Sequence, residues 1–147
     1  MGLDMYAWGI DERNVQTLAD THANFHSPEN CPVRVAYHSS HERKGETFRS
    51  YDEVFYWRKH YVLHEWMENL YKNRGGIESF NCVKLRIYEE DLNNLEKDII
   101  TDNMPQVLGI QYEYDNCNYW LENDLLFIAK ARETLKNKKL VFYDSWW

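Results

Sequence analysis

SYDEVFYWRKHYVLHEWMENLYKNRGG, residues 50–76, is the stretch on which the fold turns. Its spacing predicts one long helix from Tyr51 to Asn73. Tyr56, His60, Leu63, Met67 and Leu70 recur at the period of a single buried helical stripe. Trp57, Tyr61, His64 and Tyr71 flank that stripe and widen it into an aromatic face. Ser50 or Asp52 suits the N-cap, and Asp52 and Glu53 suit the positive end of the helix dipole. Lys72 and Arg74 suit the other end, where Gly75-Gly76 stops the helix.

Shorter elements are expected on either side. Alternating apolar residues predict strands at Leu3–Ile10, Val33–His38, Cys82–Ile87, Val107–Tyr114 and Leu140–Tyr143. Two further helices are expected, at Glu89–Ile100 (Leu92, Leu95, Ile99) and at about Tyr119–Asn137 (Leu121, Leu125, Ile128, Leu135). Together these predict a single compact α+β domain over residues 1–147, with a mixed sheet of about four or five short strands packed against about three helices. Cys82 is expected as a buried, unreactive strand residue. The carboxylates Glu89, Glu90, Asp91, Glu122 and Asp124 are expected at helix starts and on solvated faces.

Composition sets limits on function. Of 147 residues, 16% are aromatic, with 6 Trp, 11 Tyr and 6 Phe, so disorder is not expected. The net charge is -7, and residues 78–125 carry 11 acids against 3 bases. Such a chain has no general attraction to nucleic acid. Mimicry of nucleic acid by that acidic segment is a minor alternative. No apolar run reaches the roughly 20 residues of a membrane span, and no basic-then-apolar leader opens the sequence, so a cytoplasmic protein is expected. Three cysteines at wide spacing without a CxxC pair argue for free thiols.

The six histidines fall in pairs: His22 and His26, His38 and His41, His60 and His64. Spacing of i, i+4 on a helix is used by metal sites. The HExxH pattern is absent, however, because no histidine lies three residues beyond Glu65. Structural histidines within an aromatic layer are the leading expectation, and no metal or other cofactor is assigned. A hydrolase or lyase acting through the paired histidines stays open, with no catalytic residue nominated. A second constellation, Trp57, Arg58, His60, His64 and Trp66, places rings and a guanidinium where a planar, nucleotide-like ligand could stack. Its competitor is an aromatic core with surface basic residues. No glycine-rich phosphate loop supports a nucleotide. Tyr6, Trp8, Trp146 and Trp147 either pack on the core or form an apolar patch for a partner.

Five segments taken in order carry a resemblance: MGLDMY at the start, YWRKHYVLHEWM (56–67), the block from Cys82 through YEEDL (88–92), YWLENDL (119–125) and YDSW (143–146). Over about two thirds of the chain this resembles a family of small bacteriophage-encoded proteins. These have a GLDMY-type first strand, a YWRK…HxW helix and a YxSW-type tail. Residues 11–50 depart from that pattern in length and composition. The resemblance implies a phage origin and action in the host cytoplasm, and it implies no reaction. The leading expectation is a non-catalytic accessory protein that binds a host protein in host takeover or anti-defence. The alternatives are a small-molecule binder and a small hydrolase or lyase.

Overall fold

The computed structural model describes residues 2–11, 52–107 and 119–147. The elements in chain order are β1 (Asp4–Asp11), β2 (Asp52–Arg58), α1 (Tyr61–Asn73), β3 (Leu85–Ile87), α2 (Glu89–Ile100), α3 (Tyr119–Lys136) and β4 (Lys139–Trp146). The strands form an antiparallel sheet of order β2-β1-β4-β3. The fold is α+β, with four strands and three helices among the described residues. Val33–His38, residues 108–114 of the Val107–Tyr114 strand, and His22, His26, His38 and His41 lie outside them.

The Tyr51–Asn73 helix is corrected. Asp52–Arg58 is a strand, and the helix begins at Tyr61. Val54, Phe55, Tyr56 and Trp57 are β-branched or aromatic and suit a pleated surface better than a helix. Register with β1 pairs Met5 with Trp57, Tyr6 with Tyr56 and Ala7 with Phe55, and a bulge follows. The spacing of Tyr56 from His60 and Leu63 is therefore fortuitous. Tyr56 points away from the core and is exposed, whereas Trp57 is buried. Lys59, at φ 57°, ends the strand in the left-handed region. Its N–H donates to the Leu3 carbonyl at 2.8 Å, which ties the reversal to the start of β1.

The helical half of the stripe stands. Val62, Leu63, Met67 and Tyr71 are buried on α1. Burying a side chain such as Leu63 or Met67 contributes about 1.5–3 kcal/mol. They meet one face of the sheet, formed by Met5, Ala7, Trp57, Leu85, Ile87, Val141 and Tyr143. Leu92, Leu95 and Ile99 of α2 and Phe127, Ile128 and Ala131 of α3 complete this core. Gly75, at φ +91°, turns the chain after α1. Gly76 then lies so close to Tyr71 that an added Cβ would sit 2.4 Å from the ring.

Helix α2 occupies the range its sequence predicts. Asp91 caps it by accepting from the Tyr88 N–H at 2.7 Å, and Arg74 reaches across to the same carboxylate. Arg132 joins α3 to α2 through Glu89, Asn93 and Glu96. Cys82 is corrected as well. It is exposed, at φ 59°, in the turn before a three-residue β3 that begins only at Leu85. Among the described residues no helix is long and apolar enough to cross a membrane.

Candidate functional site

The sheet has two faces, and the predicted site residues divide between them. Trp57, on the core face, donates its indole N–H to Asp124 Oδ1 at 3.0 Å. His60, at the N-terminus of α1, meets Asp124 Oδ2 through Nε2 at 2.7 Å. Trp120 stacks on the His60 ring at 4.0 Å between centroids. His60 and Asp124 are buried, at 1% and 0% exposure. Asp124 therefore does not sit on a solvated face. It is the buried acceptor that ties α3 to β2 and to the start of α1. A carboxylate only accepts, so Nε2 carries the proton of that bond. This cluster is sealed from solvent and serves the packing.

Trp66 is half-buried and donates to Asp98 Oδ2 at 2.9 Å, joining α1 to α2. Arg58 lies on the other face of the sheet, exposed, with Nε 4.0 Å from Asp4 Oδ1. Trp57, Arg58, His60, His64 and Trp66 thus do not converge on one pocket. Of the five, His64 alone lines a cavity of about 280 Å³. Its other walls are Gly2, Leu3, Tyr61, Glu68 and Trp147. It opens where β1 begins and β4 ends, against α1. The period of α1 explains the grouping, since Tyr61, His64 and Glu68 are three and four residues apart and share a side of the helix.

Within the cavity wall, His64 Nδ1 and the Tyr143 hydroxyl share a hydrogen bond of 2.7 Å. Burial holds the His64 imidazole below the ordinary histidine range, with Glu68 acting in the opposite sense. Burial also raises the Tyr143 phenol well above its usual range, so it stays protonated. Glu68 is paired with Lys72 one turn on, Nζ to Oε1 at 3.1 Å. Trp147 is held in place: its indole N–H donates to the Phe80 carbonyl at 3.2 Å, and its backbone exchanges two hydrogen bonds with the Asn81 amide. Sequence reasoning missed Tyr61, Glu68 and Tyr143 as neighbours of His64. For Tyr61 and Glu68 the signal was their helical offset from His64. For Tyr143, paired across 79 positions, there was none.

The opposite face of the sheet carries Tyr6 and Trp8 of β1, Tyr56 of β2 and Trp146 of β4. Tyr6 stacks on Trp8 at 5.2 Å and meets Tyr56 at 5.1 Å. The Tyr56 hydroxyl donates to Asp4 Oδ1 at 2.6 Å, which raises its pKa. Tyr56 is 43% exposed and Trp146 63%. Three of the four aromatic residues singled out for partner contact, Tyr6, Trp8 and Trp146, therefore share this face, and Trp147 goes to the His64 cavity. Behind them the Asp144 carboxyl is raised by burial, against the opposing influence of its Lys84 partner. No group of three His, Cys, Asp or Glu side chains placed to hold a metal occurs among the described residues.

No family model matches the chain, and no match is found among the curated proteins or the solved structures.

Proposed function

We propose that this chain is a bacteriophage accessory protein that acts by binding a host protein, through the outer face of its sheet. The phage origin rests on the ordered resemblance of its sequence blocks, and host-cytoplasmic action follows from that origin. One observation supports the surface: Tyr56 and Arg58 of β2 and Trp146 of β4 are exposed on one sheet face, on either side of β1, whose rings Tyr6 and Trp8 are already stacked. Trp, Tyr and Arg are the residue types that dominate interface energetics. The stacked rings underneath limit the side-chain entropy lost on association. Arg58 at the rim favours a partner that presents an apolar patch edged by carboxylates.

The buried histidine of α1 fits a binding role better than a reactive one. His60 is committed to Asp124 beneath Trp120 and meets no solvent.

The experiment compares the wild-type chain with a Tyr56→Ala, Trp146→Ser double variant in capture from bacterial host lysate. Both side chains are exposed, so the variant keeps its fold, checked by its melting temperature. A host protein retained by the wild type, lost by the double variant and kept by Glu68→Gln supports the reading. Equal capture by both chains overturns it.

A further inference from the structure

The His64 cavity is separate from the outer sheet face and has its own chemistry. We propose that it binds a small organic ammonium ion, held between the Tyr61 and Trp147 rings against the Glu68 carboxylate. Three aromatic side chains, Tyr61, His64 and Trp147, line it. Aromatic faces attract cations through their quadrupole, and Trp does so best. Among the described residues that line it, Glu68 is the one carboxylate side chain and none is a lysine or arginine. A phosphate or carboxylate ligand would meet the like charge of Glu68, and Lys72, the cation beside it, is already paired with that carboxylate. Arg58, which the sequence suggested for such a ligand, is not among the residues that line it and pairs with Asp4.

Two of the walls are held in place before any ligand arrives. Trp147 is pinned by Phe80 and Asn81, and His64 by Tyr143. Pre-organised walls reduce the ordering cost of binding. A neutral His64 does not repel a cation, and its Nδ1 is committed to Tyr143. The resident partner of Glu68 is replaceable. Lys72 is 56% exposed, and an exposed i, i+4 pair is weak. At about 280 Å³ the cavity holds on the order of nine water-sized groups of roughly 30 Å³. That is room enough for a small amine or a quaternary ammonium.

The test titrates the 147-residue chain with tetramethylammonium chloride and follows the Trp147 indole N–H by nuclear magnetic resonance, assigned from its loss in Trp147→Phe. Size-matched pivalate and tert-butanol serve as the anionic and neutral controls. Saturable movement of that resonance with tetramethylammonium alone is expected. Glu68→Gln should weaken binding at least tenfold, and Tyr61→Ala by a similar factor, each with its melting transition retained. The proposal falls if pivalate or tert-butanol saturates equally, if Glu68→Gln binds as well as the wild type, or if the Trp147 resonance does not move. The Tyr56→Ala, Trp146→Ser variant should bind tetramethylammonium unchanged, so this site and the outer face stand or fall separately.

Discussion

His60 and Asp124, 64 positions apart in the chain, meet at 2.7 Å in a part of the core that solvent does not reach. The same carboxylate accepts from Trp57, so one side chain of α3 fixes the last inward residue of β2 and the first residue before α1. The reversal at Lys59 lies between those two contacts.

Asp124→Ala removes both contacts and takes a buried acceptor from the Trp57 indole and from the His60 ring. Each lost buried bond costs about 1–3 kcal/mol, so a loss of about 2–5 kcal/mol is expected. Asp124→Asn should cost less. Its amide oxygen still accepts from Trp57, and its N–H can donate to Nε2 if the His60 ring adopts the other tautomer. Urea unfolding midpoints for the two variants check the order, and equal losses would show that the His60 ring keeps its Nε2 proton and that the amide does not replace the carboxylate.

The side chains of residues 54–57 explain how far the sequence could be read. Val, Phe, Tyr and Trp fill a buried stripe or a pleated face equally well, and Tyr56, His60 and Leu63 happen to fall on a helical period. Residue type carried the better signal, because none of the four favours helix. The turn at Lys59 left no trace, since a lysine at positive φ carries no mark in the sequence. Helix α2 was legible because its stripe, its acidic first turn and its cap agree. Strand β4 runs beyond Tyr143 to Trp146, since Ser145 continues the inward alternation of Val141 and Tyr143 but is too small and polar to announce it. His64 was visible as a candidate. Its partners Tyr143 and Trp147, and the Asp124 acceptor of His60, arrive through sheet and helix packing that no local pattern encodes.

Gly76→Ala tests the tightest turn. The new methyl would lie 2.4 Å from the Tyr71 ring, which is fully buried and accepts from the Glu78 N–H at 3.3 Å. The ring cannot swing aside, and a loss of about 1–3 kcal/mol is expected. Gly75→Ala meets nothing within 4 Å but must hold φ +91°, so its cost is backbone strain alone, about 1 kcal/mol. Combining Gly76→Ala with Tyr71→Leu should recover part of the first loss and none of the second. A double-mutant cycle by chemical denaturation gives the answer.

Stability should fall in mildly acidic solution because of His64. Burial keeps its native pKa below the unfolded value of about 6.5. The unfolded chain therefore binds the proton more readily. The contribution is complete above the unfolded pKa and is lost as pH falls through the lowered native one. Melting temperatures taken downward from pH 7.5 should decline through this window. His64→Gln, which keeps a polar group against Tyr143, should flatten that part of the profile. An unchanged slope in the variant would assign the decline to another group.

Arg132→Ala sets the scale for surface pairing. Arg132 binds Glu96 at 2.7 Å and Glu89 at 3.1 Å, and it holds the Glu96 carboxyl below the ordinary range. Yet Glu89 is 56% and Glu96 35% exposed, so water competes for both. A loss of about 0.2–1 kcal/mol is expected, shrinking as salt is added. Asp124→Ala touches the same helix and should cost several times more with little dependence on salt. If the two variants prove equal, α3 is held to the sheet by its apolar residues Phe127, Ile128 and Ala131, and the buried His60–Asp124–Trp57 cluster serves to set the register of α3 against β2 without adding net stability.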